Sequence, residues 1–499
     1  MRLKHWLIVL IILFYFASFL FRSVVTLDPD FGWHLQFGRV IMSTHTIPLN
    51  DLYSYTMPSY HFIDHEWGTD SMIAFVFDRF GITSLNVLFA LFGVVALYFL
   101  SRNIELRWAA LPLFLVGGTI FEFMGIRPQT ITWTLLALLM SIIWQKKVWL
   151  KWRFAIPILF LLWANIHGGF AIGIVVLGWF VIVDTILHRR IDTKDSVVLL
   201  LSILATLVNP YGYHLWVEVT KSATDPNLRW AIQEWYPAVY FTNLAFWLYA
   251  VISIFLVIRY RRKFSLASLG IYALLFVAGM SSMRNIPIFV VVSFYPTVKG
   301  INYLYKESGE YLYGKERFVR GYFFFFLICL FLYMPQLGAF VYGTVNYGEG
   351  QSSYPTGAVS YLRHHLPQGN IFASYDWGGW LIWQLPEKKE FIDGRMPSWR
   401  NPTASVDEST YAFGDYEKIL QDKIPFPSVV KKYDIDTVLV SSSDLKEQHV
   451  KIFGIDAAKN PFLKRFFTSN TSFAPVVSQI KRMGWQEVYH DKTAVVFEK

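Results

Sequence analysis

Eleven apolar runs punctuate the chain, near residues 6–26, 83–100, 108–123, 130–145, 154–164, 168–187, 196–209, 244–258, 265–281, 286–298 and 321–342. A helix needs roughly 20 apolar residues to cross a bilayer. The runs at 154–164 and 286–298 fall short, so tilted or broken helices are expected there. The first run opens on Arg2 and Lys4 and lacks a small-residue cleavage site after it. It reads as a retained anchor rather than a removed leader. Residues 1–342 are therefore expected to form a polytopic α-helical membrane domain of about eleven spans.

Two stretches depart from this rhythm. Residues 27–80 form a long loop between the first two runs. Within it, Phe31, Trp33, Phe37, Val40 and Ile41 recur at helical spacing and predict a short amphipathic helix at the membrane surface. A second amphipathic run, Met72 to Phe80, is expected to lie there too. Residues 343–499 alternate helix and strand signals. A helix over 358–366 is stopped by Pro367. Strands are expected at 370–373 and 437–441, with a helix ending at 428–433 and a hairpin of 487–489 with 494–498 around Asp491-Lys492. The sequence around 391–395 reads as a short strand entering a turn, and Gly378-Gly379 as a tight turn. A C-terminal α/β domain follows from that alternation.

Charge adds orientation. Only 16% of residues are charged, against 54% hydrophobic, well below the quarter usual for a soluble domain. The net charge of +9 lies in residues 1–342, with 27 basic and 18 acidic residues; the tail has 18 of each. With the N-terminus inside, 20 basic residues fall on inner segments and seven on outer ones. That asymmetry predicts an N-inside, multi-pass protein of the cytoplasmic membrane with residues 343–499 outside. It also assigns the basic excess to topology and not to nucleic acid. The single cysteine, Cys329, excludes a disulfide within the chain. Asn470-Thr471-Ser472 fits a glycosylation acceptor.

The candidate chemistry collects at the outer turns. Asp28-Pro29-Asp30 precedes the predicted surface helix, and Asp30 and His34 share its face. Carboxylates at a helix N-terminus stay ionised; the plain alternative is that one merely caps it. His61, Asp64, His65 and Glu66 form a second cluster. It lacks the HExxH spacing of a zinc site, so a hydrogen-bonding cluster is expected instead of a metal. Arg127, His167, Glu234 and Arg284 come from four other turns on the same predicted side. Arginine forks suit a phosphate; alternatively they snorkel to lipid or pair with Glu122. Span centres are nearly free of charge, which favours chemistry at one face over transport.

Paired acidic residues in the first loop of a many-span protein resemble the GT-C superfamily of integral-membrane glycosyltransferases. The wider set DPDFGWHL, HEW, RPQ, NIHGG, NPYG, YDWGGWLIWQLP and FIDGR resembles bacterial GT-C-like membrane proteins, a resemblance that carries no reaction of its own. The superfamily resemblance implies a sugar donor carried on a polyprenyl phosphate and an outer-face acceptor that is a glycan, lipid or protein. It implies an outer-loop aspartate as base, here Asp28 or Asp30, and no metal or other cofactor. The leaving phosphate would be held by Arg127 and Arg284, with His167 at the same site. His34, His65, Glu66 and Glu234 would orient these groups. The competing expectation is a non-catalytic scaffold or export factor whose outer domain binds a partner.

Overall fold

The computed structural model describes residues 2–102, 108–189, 191–311, 313–347, 354–443, 445, 451–452, 455–456 and 472–499. The Asn470-Thr471-Ser472 sequon thus falls outside the described residues, apart from Ser472. Every apolar run lies on a helix: α1 (Arg2–Val25), α3 (Trp67–Ser101), α4 (Ala110–Phe121), α5 (Gln129–Ile143), α7 (Ile156–Ala164), α8 (Phe170–His188), α9 (Thr193–Ala205), α12 (Leu244–Arg259), α13 (Leu266–Ser281), α14 (Ile286–Ser308) and α15 (Gly314–Tyr347). Among the described residues four are long and apolar enough to cross a membrane by themselves: Trp6–Val25, Trp67–Ser101, Phe170–Leu187 and Gly314–Val345. The expected surface helix at 72–80 lies on the first part of α3, Trp67–Phe80. A kink at Gly81, where φ is 76°, separates it from the second apolar run. Glycine alone takes that conformation without strain.

All twelve residues of α4 are buried, as befits a helix at the centre of a bundle. Gly117 and Gly118 make room for its neighbours: a Cβ on Gly117 would lie 2.3 Å from the Tyr15 ring, and one on Gly118 2.8 Å from Ala245. Small residues at such contacts let apolar helices approach closely. Tyr15 Oη donates to Phe114 O at 2.5 Å, spanning α1 and α4.

The short elements on one face are α2 (Phe31–Thr44), α6 (Lys146–Trp152) on the other, and α10 (His214–Thr224) and α11 (Leu228–Ala231) leading into α12. The tail contains α16 (Thr356–His364), β1 (Asn370–Ala373), α17 (Gly378–Gln384), α18 (Ala412–Leu420), α19 (Phe426–Tyr433), β2 (Ile435–Ser441), β3 (Lys451–Ile452), β4 (Ile455–Asp456), α20 (Ala474–Arg482), β5 (Gln486–His490) and β6 (Ala494–Glu498). Four strands form one sheet in the order β1-β2-β6-β5; β1 runs parallel to β2, and the other pairs are antiparallel. Two expectations fail here. Residues 391–395 form no strand; Glu390 makes only an isolated bridge to Ser54. Gly378 and Gly379 do not turn the chain but open α17.

The tail has one apolar cluster of its own, around Ala358, Leu362, Leu381 and Val496, and shares a second with the first loop. Trp33, Phe37, Ile41, Met57, Tyr60 and Phe62 of the first loop share one apolar cluster with Phe372, Trp399, Tyr416 and Phe426 of the tail. Tyr60 stacks on Trp399 with centroids 4.3 Å apart. Between them Arg395 is fully enclosed. It pairs with Asp393 at 2.7 Å and Asp51 at 2.8 Å, and the Tyr53, Phe62 and Trp399 rings lie 5.1–5.2 Å from its guanidinium carbon. A buried charge needs such partners. The first loop is thus the layer that joins bundle to tail.

Candidate active site

α1 ends at Val25, and the chain then turns sharply. Asp28 Oδ1 accepts the Asp30 N–H at 2.9 Å, and Asp28 O accepts the Phe31 N–H at 3.1 Å. This is an aspartate turn of the kind that starts a helix. Asp30 occupies the N-cap position of α2, but its carboxyl makes no capping bond. Local structure therefore uses Asp28 for the turn, while the Asp30 carboxyl meets the Trp33 side chain and His34.

The second oxygen of Asp28 pairs with Arg127 Nε. Arg127 Nη1 reaches Glu234 Oε1 at 2.6 Å, and Glu234 Oε2 lies 3.7 Å from Arg284 Nη1. Four turns thereby contribute one alternating chain of charges: Asp28, Arg127, Glu234, Arg284. One side-chain and one backbone hydrogen bond fix the last two turns together: Ser282 Oγ donates to Glu234 O at 3.2 Å, and Met283 N–H to Tyr236 O at 2.8 Å. The alternative partner Glu122 is taken elsewhere, by Arg22 at 4.0 Å and by Asn243 Nδ2 at 3.2 Å. Burial favours the neutral carboxyl of Glu234, but Arg127 and Arg284 outweigh it and hold its pKa below the ordinary value. Burial likewise opposes charge on Arg127, and Asp28 and Glu234 overcome it, raising its pKa.

A second cluster centres on Glu66. His167 Nε2 lies 3.1 Å from one Glu66 oxygen, His65 Nε2 3.5 Å from the same oxygen, and His34 Nε2 3.6 Å from the other. His34 Nδ1 meets Asp70 at 2.6 Å. The tautomer of His167 follows from its neighbours. The Gly169 N–H donates to His167 Nδ1 at 2.8 Å, so Nδ1 is the acceptor and Nε2 carries the proton toward Glu66. Burial pushes the Glu66 pKa up, and His65 and His167 more than reverse it, leaving it well below the usual range. Burial lowers His65 to about 4. The NIHGG and HEW motifs interlock here: Gly68 N–H donates to Asn165 O at 3.1 Å and Thr69 Oγ1 to Ile166 O at 2.7 Å.

His167 was expected beside the arginines. It lies within ion-pair distance of Glu66, and its Nδ1 hydrogen-bonds Thr132 and Gly169 instead. Neither arginine is a free cation, since Glu234 bridges both. His34 interacts with Asp30 and with Glu66, whereas the contacts of His65 run to Glu66; Asp70, which pairs with His34, was missed by sequence reasoning although it falls one helical turn after Glu66.

The tail roofs this junction. A Cβ on Gly394 would lie 1.8 Å from Asp30 Oδ1, so the FIDGR backbone rests directly on that carboxylate. A Cβ on Gly379 would lie 2.3 Å from Pro29 O. Tyr354 Oη donates to Leu27 O at 2.9 Å. Burial, then the neighbouring Asp28 charge, raises the Asp30 pKa to about 7. Such a carboxylate suits a general base working near neutrality. No signal within the tail's own sequence linked Gly394 to Asp30, because the contact spans most of the chain.

The multi-pass helical bundle shares its fold with membrane proteins of known structure. No family model matches the sequence, and no curated protein does either. Among solved structures, the chain is similar to ArnT from Cupriavidus metallidurans bound to undecaprenyl phosphate, at 12% identity over 98% of this chain and 97% of that one, TM-score 0.52. ArnT in the apo state matches over 100% and 98%, at 12% identity and TM-score 0.54. The apo oligosaccharyltransferase from Archaeoglobus fulgidus matches 87% of this chain and 69% of that one, at 12% identity and TM-score 0.55. At such identity the likeness is one of fold.

Proposed function

We propose that the protein is a membrane glycosyltransferase that moves a sugar from a polyprenyl-phosphate donor to an acceptor outside the cytoplasm. The observation that carries this reading is the convergence of Asp30 with the Asp28–Arg127–Glu234–Arg284 chain, each member from a different turn. Asp30 takes the proton of an acceptor hydroxyl. The acceptor oxygen then bonds to the anomeric carbon as the bond from that carbon to phosphate oxygen breaks. Polyprenyl phosphate leaves with the electron pair, and Arg127 and Arg284 stabilise its charge. Glu234 holds the two guanidinium groups in place before the donor arrives. The Glu66 cluster braces the loop, with His34 linking it to α2. The protein sits in the cytoplasmic membrane, N-terminus inside and residues 343–499 outside, and the tail closes the acceptor side.

The test is transfer of radiolabelled sugar from purified polyprenyl-phosphate donors by the detergent-solubilised protein. Wild type should transfer and Asp30→Asn should not. Full activity in both Asp28→Asn and Asp30→Asn would place the base elsewhere, with Glu66 and Glu234 next. Binding of a partner protein with no transfer from any such donor would favour the scaffold alternative.

A further inference from the structure

α12 starts beside Glu122 and α14 beside Arg284, and both end on the opposite face. The 23 residues of α14 put its end about 35 Å from the site. There the turn after α12 and the last turn of α14 enclose a cavity of about 620 Å³, lined by Arg259, Tyr260, Arg261, Arg262, Lys263, Lys306, Glu307 and Glu310. That volume is in the range of small-ligand sites.

The cavity is built and braced. Tyr260 Oη donates to Glu307 Oε2 at 2.5 Å, and Arg259 pairs with the other oxygen of Glu307. These bonds tie the two elements together and use up Glu307. Tyr303 Oη donates to Lys263 O at 3.3 Å, and Lys263 Nζ lies 5.3 and 5.2 Å from the Tyr260 and Tyr303 rings. Among the described residues no carboxylate stands within ion-pair distance of Arg261, Arg262, Lys263 or Lys306. Four cations therefore face one opening with a single uncommitted acid, Glu310. Beside them the outer surface is apolar: Phe255, Ile258 and Leu266 are 56%, 59% and 62% exposed. Tyrosines at a polar rim and exposed aliphatics below it are what a lipid molecule meets at a membrane boundary.

We infer that this cavity binds a phosphate-bearing anion, supplied by the headgroup of an anionic phospholipid whose acyl chains lie along Phe255, Ile258 and Leu266. The inference does not depend on the proposed reaction. The competing explanation is general attraction of any basic loop to an anionic membrane, and the test separates the two. Full-length protein in neutral detergent is titrated with phosphatidylglycerol or phosphatidylcholine, and bound lipid is counted by native mass spectrometry. The same titration is run on the triple variant Arg261→Gln, Arg262→Gln, Lys306→Gln. A control triple, Lys146→Gln, Lys147→Gln, Lys151→Gln, removes equal charge from another basic segment.

Phosphatidylglycerol should bind in preference to phosphatidylcholine. The cavity triple should bind it about tenfold or more weakly, and the control triple should match wild type. Equal loss in both triples, or in neither, overturns the site. Displacement of the lipid by millimolar inorganic phosphate overturns the lipid assignment and marks the cavity as one for a soluble phosphate.

Discussion

Asp30 differs from Asp28 in that its carboxyl makes no backbone capping bond and meets the Trp33 side chain instead. Its pKa, raised to about 7 by burial and by Asp28, makes two linked predictions. Transfer should rise with pH along a curve of apparent pKa near 7, as the base ionises. A carboxylate with a raised folded pKa adds stability while protonated. That contribution is present below the ordinary carboxylate range and lost as pH rises through about 7. Asp30→Asn mimics the protonated form. At pH 8 it should melt no lower than wild type while transfer falls about 10²–10⁴-fold; a clear drop in melting temperature would make Asp30 a structural residue instead. Arg127→Ala should behave in the opposite way. It strands the buried Asp28, so stability should fall by about 3–5 kcal/mol in denaturant titration, together with donor binding. The sequence pointed to these residues as charges at span ends, where membrane proteins rarely keep them without purpose. It did not reveal their pairing, because Glu234 reaches Arg127 and Arg284 through turns that come together only when α4, α5, α13 and α14 pack.

The first loop, 27–66, belongs with the tail as much as with the bundle, because they share one aromatic core and the enclosed Arg395. A protease site inserted near residue 350 should therefore nick the chain without freeing the tail, which should co-purify with the bundle in mild detergent. Release of the tail on washing would show that the shared core does not hold it. The strands 370–373 and 494–498 were legible because alternation and a tight Asp-Lys turn are local signals. The role of Gly378-Gly379 was not, since paired glycines look alike whether they turn a chain or make room for one. Here they make room: Gly379 meets the Pro29 carbonyl and Gly394 the Asp30 carboxylate. Gly394→Ala should push that carboxylate aside and lower transfer about 10²-fold, with melting close to wild type. Gly379→Ala meets backbone, which cannot rotate away, so it should cost about 1–3 kcal/mol of stability.

Across the bilayer the two faces differ in kind. One carries four polar turns, the first loop and the tail; the other carries the basic turn at 259–263, the helix α6 and the end of α14. Helix lengths alone leave the crossing ambiguous, since only four helices among the described residues suffice individually. The short ones are viable because packing shields them, as with the wholly buried α4. Orientation then rests on charge, with 20 basic residues on one side against seven on the other, and positive segments stay in the cytoplasm. Because Asp28, Arg127, Glu234, Arg284 and Gly394 meet on one face, a single measurement orients all of them. A reporter active only in the cytoplasm, fused after Glu349, should be silent, whereas the same reporter inserted at Arg262 should be active. The reverse result would put the polar junction in the cytoplasm, where an outer-face acceptor could not reach Asp30. Signals of equal strength at both positions would mean an even number of crossings between Arg262 and Glu349, and would require α13, α14 or α15 to re-enter the membrane without crossing it.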